Sequence, residues 1–175
     1  MIVLGLDTAT RTAAAGVARD GVVLAEGAQR DARSHVGSLP FLVEQVLAGA
    51  GLRIDDVDVV AVSIGPGSFT GLRISLGLAK GLVLAGGIPL VAVPTLEALA
   101  WAADAPPGAT IWAALDARKR EVYAASFEAT AAGPRRLTVD MVLAPEALAA
   151  RLDAGAVLVG DATETYGDVL GAPAT

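Results

Sequence analysis

No cysteine occurs in the 175 residues, and histidine occurs once, at His35. The first absence excludes a disulfide framework, a thiolate nucleophile and every Cys-based zinc or iron–sulfur site. The second leaves at most one imidazole for a metal or for activating a nucleophile. Positive charge is scarce as well: 13 Lys and Arg stand against 19 Asp and Glu, for a net charge of −6. Divided at Asp104, the two halves carry −3 each, so no basic half hides behind an acidic one. Affinity for nucleic acid rests on clustered Lys and Arg, so the chain is not expected to grip RNA strongly by itself. Long apolar runs are missing too. The longest uncharged run, Gly81–Leu96, carries Pro89 and Pro94 and falls short of the ~20 apolar residues of a spanning helix. No membrane segment is expected. Met1-Ile2-Val3 leads directly to Asp7 without the basic start and small-residue cleavage site of a secretory signal, so a soluble, cytoplasmic protein is expected.

What remains is small and apolar. Hydrophobic residues make up 54% of the chain, 37 of the residues are alanine, and the mean hydropathy is +0.57. A chain of this length buries roughly 70% of its unfolded surface, enough for a real core. Ile2–Asp7 reads as a buried strand ending in an acid. Ala13–Ala18 and Val22–Ala28 read as a hairpin around Asp20-Gly21. Ser34 is placed to cap a helix reaching Ala48, whose Leu39, Leu42, Val43, Val46 and Leu47 fall on one face. Val57–Ile64 predicts a strand, Leu72–Ala85 a helix, Ile88–Val93 a strand and Pro94–Ala103 another helix. Asp104–Thr110, with two prolines and a glycine, interrupts both periods and predicts a lobe boundary, giving lobes 1–104 and 105–175. The second half then repeats the order: strands at Ile111–Leu115, Glu121–Phe127 and Leu137–Leu143, a helix from Pro145, a strand at Ala156–Val159 and a helix from about Thr163. This repeated order predicts an α/β fold of the actin and sugar-kinase type.

Two segments could carry chemistry. Gly65-Pro66-Gly67-Ser68-Phe69-Thr70-Gly71 joins a strand to a helix, where unpaired N–H groups can hold an anion. It fits neither phosphate motif. No Gly-Lys-Ser/Thr follows Gly65 or Gly67, and Thr70 stands where a dinucleotide fingerprint needs its third glycine. The alternative is a tight turn that caps the helix through Ser68 or Thr70. Asp7-Thr8-Ala9-Thr10 is the other segment. An acid and small hydroxyls at this place face metal and phosphates in ATP-binding members of such folds, and they are equally ordinary in a strand-to-turn transition. His35 has Leu39, not a second ligand, one turn on. Arg118-Lys119-Arg120, flanked by Asp116 and Glu121, reads as a solvated turn.

The helix after the glycine loop is apolar on two faces. Leu72, Leu76, Ala79 and Val83 form one, Ile74, Leu78, Leu82 and Ala85 the other, with Arg73 and Lys80 between them. A helix apolar on two sides is expected to be buried on two sides. Gly77 and Gly81, each costing ~1 kcal/mol against Ala mid-helix, permit close approach by another element.

Together SIGPGSFTGLRISLGLAKGL, VLGLDTAT and LDARKREVYAA resemble the bacterial TsaB (YeaZ) family, from Ile2 to about Asp168 and in matching order. The resemblance implies an actin-like two-lobe fold of the ribonuclease H-like kind, with Gly65–Gly71 and Arg73 as its family motif. Asp7, Thr8 and Thr10 are then degenerate nucleotide-site positions, with no catalytic or metal residue. It also implies a non-catalytic partner of TsaD, supporting transfer of threonylcarbamoyl to adenosine 37 of ANN-reading tRNAs, with TsaE joining the complex. ATP and metal are expected in TsaD, and no cofactor in this chain. The H-x-x-x-H metal pair of TsaD-like enzymes corresponds here to His35–Leu39, with one half missing. That argues against a metallopeptidase. The chain is shorter than the family pattern implies, so a shortened second lobe is expected. An interface is expected at Leu39, Leu42, Val46, Ile74, Gly77, Leu78 and Gly81, serving TsaD or, in its absence, a second copy. The competing reading is an ATP-dependent phosphotransferase of the same fold.

Overall fold

The computed structural model describes residues 1–30 and 35–171. The chain divides into two compact units, Met1–Val93 and Pro94–Thr175.

Unit 1 opens with β1 (Ile2–Asp7), β2 (Thr12–Arg19) and β3 (Val22–Arg30), an antiparallel set with its turn at Asp20-Gly21. Helix α1 (His35–Gly49) and a 3₁₀ turn at Ile54–Asp56 lead to β4 (Val59–Ser63), which lies parallel to β1. Helix α2 (Phe69–Gly86) then leads to β5 (Leu90–Val93), parallel to β4. The sheet order is β3-β2-β1-β4-β5. One face carries the core: Leu4 and Leu6 of β1 stand beside Val60 and Val62 of β4 and beside Val17 and Ala15 of β2. Alternation along these strands sends each of these side chains to the same side. Leu39, Leu42, Val43, Val46 and Leu47 of α1 close over them. The helical spacing read from the sequence is therefore a core face. The expected cap Ser34 lies outside the described residues.

Unit 2 begins one element earlier than the Pro/Gly-rich segment suggested. Helix α3 (Thr95–Trp101) precedes β6 (Thr110–Arg118), and its Leu96 and Ala100 share a core with Ile111, Ala113 and Leu115 of β6 and with Ala125 and Phe127 of β7 (Glu121–Thr130). The boundary expected at 104/105 is therefore a loop inside unit 2, and the break falls at Val93/Pro94. Prolines interrupt secondary structure, but which core a helix joins is decided by its apolar face. Of the strand expected over Leu137–Leu143, only Met141–Leu143 is found as strand. β8 (Gly133–Arg136) and β9 (Met141–Leu143) pair with successive stretches of β7, and Gly133-Pro134 lies within β8 rather than in a turn. Helix α4 (Pro145–Ala149), β10 (Val157–Val159, parallel to β6) and α5 (Ala162–Leu170) complete the unit, with sheet order β10-β6-β7-β8. Trp112, Ala114, Val122, Ala124, Leu148, Ala162 and Leu170 form a second core on the α4/α5 side. This second sheet is thus covered on both faces, which fits the apolar run in β6.

Helix α2 is long and apolar enough to cross a membrane by length and composition alone. Arg73 and Lys80 interrupt it, Ser68 caps it, and it packs on β1, β4 and β5 as a layer of unit 1. Leu39, fully buried, tests the placement of α1: Leu39→Ala is expected to cost about 2–5 kcal/mol, read as a lowered thermal midpoint.

Candidate functional site

The turn after β1 and the glycine loop before α2 form one packed unit. The Ser68 N–H donates to the carbonyl of Ala9 at 2.6 Å, and the Thr8 hydroxyl donates to the carbonyl of Gly71 at 2.6 Å. Ser68 caps α2 by accepting from the Gly71 N–H at 3.2 Å. Two glycines make this approach possible. A side chain at Gly67 would meet the Ala9 carbonyl oxygen at 2.5 Å, and one at Gly71 would overlap the Thr8 carbonyl. Contact between backbones requires a glycine at both positions. Gly65 takes φ 112°, and the Gly65–Pro66 peptide is cis.

This packing settles what the small hydroxyls do. Thr8 is fully buried and its hydroxyl is spent on Gly71. Thr10 accepts from the Thr12 N–H at 3.1 Å, tightening the turn. The Asp7 carboxylate accepts from the Ala9 N–H at 3.3 Å. The Thr8–Gly71 contact holds the first strand's turn against the start of α2. Phe69 and Thr70 lie exposed at the first turn, and the Arg73 guanidinium sits 5.4 Å from the Phe69 ring centre. Among the described residues, no three His, Asp or Glu side chains gather closely enough to hold a metal; the side chain of His35 lies outside the described set.

The structure redistributes the expected interface. Leu39, Leu42 and Val46 are buried in the core of unit 1 and present no surface; helical spacing alone does not distinguish a core face from a docking face. Ile74 and Leu78 are partly buried against the same core. Gly77 and Gly81 are exposed, and among the described residues no atom beyond their own helix's backbone lies within 4 Å of where a side chain would begin, so no described element uses them for close approach. They share an exposed stripe with Phe69, Arg73, Lys80 and Leu84. Leu84 is 85% exposed and Phe69 75% exposed. The helix is buried on one side only, and its glycines face outward.

A second polar cluster sits in unit 2, at the end of β6. Asp116, its side chain 8% exposed, accepts from the Arg118 N–H at 2.8 Å and pairs with the Arg118 guanidinium at 3.1 Å. The Tyr166 hydroxyl donates to it at 3.2 Å. The Asp116 N–H donates to Asp161 at 2.9 Å. Arg118, Lys119 and Arg120 all adopt left-handed backbone, φ 67°, 51° and 61°, as the tip of the hairpin. The expected solvated turn is thus tied down from below by an acid. Burial lifts the Asp161 carboxyl above its ordinary value, and Asp116 and Glu164 add to the lift while the hydrogen bond from the Asp116 N–H opposes it. Burial also raises Tyr166, helped by Asp116. The sequence offered D-A-R and a helix start at 161, but no spacing rule joins positions 45 residues apart.

A raised carboxyl binds its proton more readily folded than unfolded. Stability from this group is therefore greatest at low pH and declines as pH rises from about 3.8 through the lifted folded value. Asp161→Asn keeps the acceptor for the Asp116 N–H and removes the charge. The variant is expected to gain on wild type across that window and to hold the gain near neutral pH, read from urea midpoints. A variant that loses stability near neutral pH contradicts this.

The profile of the TsaD family, tRNA N6-adenosine threonylcarbamoyltransferase, matches residues 22–158. YeaZ from Pseudomonas aeruginosa is 33% identical, and the match covers 97% of this chain and 79% of that one at a TM-score of 0.84. This chain belongs to the TsaB (YeaZ) family. The tRNA threonylcarbamoyladenosine biosynthesis protein TsaB of Escherichia coli is 38% identical over 129 residues, 73% of this chain and 55% of that protein. The Haemophilus influenzae protein of the same name is 35% identical over 126 residues. The chain thus spans about half the length of these two TsaB proteins. The activator of 2-hydroxyisocaproyl-CoA dehydratase from Clostridium difficile, 16% identical at a TM-score of 0.51, shares the fold. The fold expected from the sequence, actin-like α/β, is the one found.

Proposed function

We propose that this TsaB-family chain is a non-catalytic subunit in formation of threonylcarbamoyladenosine on tRNA. In this reading it works in the cytoplasm, docks on TsaD and supports threonylcarbamoyl transfer to adenosine 37 of ANN-reading tRNAs. ATP and metal belong to TsaD, TsaE joins the assembled complex, and a second copy of this chain takes the docking site when TsaD is absent. The names of the Escherichia coli and Haemophilus influenzae relatives support the pathway.

The observation that carries the docking role is the stripe Phe69–Arg73–Gly77–Lys80–Gly81–Leu84. Two outward glycines with open space above them let a foreign helix come close, and Leu84 and Phe69 at the two ends supply apolar contact. The non-catalytic role rests on Thr8 and Gly71. The Thr8 hydroxyl, which a phosphotransferase would turn towards phosphate, is bonded to the Gly71 carbonyl, and this supports the non-catalytic reading. RNA contact falls to the partner, since the net charge is −6.

Calorimetric titration with ATP and Mg²⁺ tests the non-catalytic half. No binding below the millimolar range is expected. Submillimolar binding that Asp7→Ala abolishes would restore the phosphotransferase reading.

A further inference from the structure

Two hairpins of this chain turn in the same way with opposite kinds of residue. Between β2 and β3, Arg19 pairs with Val22 across Asp20-Gly21, at φ 51° and 82°. Between β6 and β7, Arg118 pairs with Glu121 across Lys119-Arg120, at φ 51° and 61°. Positive φ at both central residues marks the type I′ turn, which favours Asp-Gly or Asn-Gly. The first hairpin obeys that rule. The second breaks it at both positions, and Arg118 at φ 67° adds a third left-handed residue with no glycine among them.

Strained backbone persists where its surroundings over-determine it, and it gathers at functional sites and ligand clamps. Here Asp116 supplies the constraint. It accepts from the Arg118 N–H and holds the Arg118 guanidinium, while the Tyr166 hydroxyl and Asp161 hold Asp116 itself. This anchor accounts for Arg118 but not for the choice of Lys119 and Arg120. Arg120 meets Glu146 at 3.4 Å, both side chains exposed, and such pairs contribute little. Turn chemistry asks for a cation at neither position. In a chain with 13 Lys and Arg against 19 Asp and Glu, three consecutive cations are nevertheless held at one tip.

We propose that the Arg118-Lys119-Arg120 tip is a contact for phosphate groups of an RNA backbone. A two-residue hairpin tip is convex, whereas sites for small ligands are concave. Against a polyanion, neighbouring cations meet neighbouring phosphates, and guanidinium forks match phosphate oxygens. The inference rests on the reading that this chain acts on tRNA together with TsaD. At a net charge of −6 the main grip stays with the partner, and the tip adds one local contact.

The test measures tRNA binding to the full chain mixed with TsaD, by filter retention across a salt series. Lys119→Asn combined with Arg120→Gly gives the turn the residues it favours. This double variant is expected to melt about 2–4 °C above wild type and to bind TsaD unchanged in sedimentation. Its tRNA affinity is expected to fall ~5-fold or more, with a salt slope lower by about 1–2. Lys119→Glu, which reverses the charge at a turn position that still lacks glycine, should weaken tRNA binding without the gain in melting temperature. Unchanged affinity and slope in both variants, in a mixture that binds tRNA, overturns the proposal and leaves the reading of the chain standing. Loss of TsaD binding in the variants also overturns it, since the tip is then a protein contact. A wild-type mixture that binds no tRNA overturns the reading on which the proposal rests.

Discussion

Gly71→Ala is expected to destabilise unit 1 by about 3 kcal/mol or more, although it adds a single methyl group to a helix. The new carbon would overlap the Thr8 carbonyl. Neither partner can yield cheaply, because Thr8 is fully buried and its hydroxyl is bonded to the Gly71 carbonyl at 2.6 Å. Relief requires the turn after β1 to move off α2, which also breaks the Ser68–Ala9 hydrogen bond. Gly77→Ala, two turns along the same helix, provides the internal control. Nothing lies within 4 Å of the added carbon, so it should stabilise the chain by ~1 kcal/mol through helix propensity alone. Urea denaturation of both variants reads the difference. Similar midpoints for the two would mean that the β1 turn and the α2 start are not locked by backbone contact.

Gly81→Glu is expected to leave the fold intact and to abolish association. The position is exposed with open space above it, so the isolated chain accommodates a glutamate without displacing any atom. Against a helix seated on the notch, the same side chain both blocks approach and buries a carboxylate. An uncompensated buried charge costs about 3–5 kcal/mol, which corresponds to roughly 10²–10⁴-fold weaker binding. Sedimentation velocity of wild type and variant, alone and with TsaD, measures this. Under the proposed shared stripe, both the homodimer and the TsaD complex are expected to be lost. Retention of both at unchanged affinity places the interface elsewhere.

Much of the fold was legible because its elements obey strong local rules. The β1 strand, the Asp20-Gly21 hairpin and the α1 stripe follow from alternation, turn chemistry and helical spacing, and all are present. The errors have a common origin. Periodicity reports that a face is apolar, not what covers it. The spacing of Leu39, Leu42 and Val46 points to a partner, whereas β2, β3 and α2 of the same unit lie against their helix. For the same reason α3 was assigned to unit 1, since Leu96 and Ala100 mark a buried face without naming the sheet. In the glycine loop, sequence left a phosphate cradle and a tight turn as alternatives. Gly67 and Gly71 are explained by Ala9 and Thr8, some 60 residues earlier, and such a contact leaves no local trace. The Asp116–Asp161–Tyr166 cluster was invisible for that reason too.

The proposed seat of TsaD is the outward face of α2. Hydrogen exchange of this chain, alone and saturated with TsaD, tests it. Slowed exchange along Arg73–Leu84 is expected in the mixture, absent with Gly81→Glu, with unchanged exchange in the sheet of unit 2. Protection confined to other elements, or a complex whose α2 amides exchange as fast as in the free chain, would contradict it.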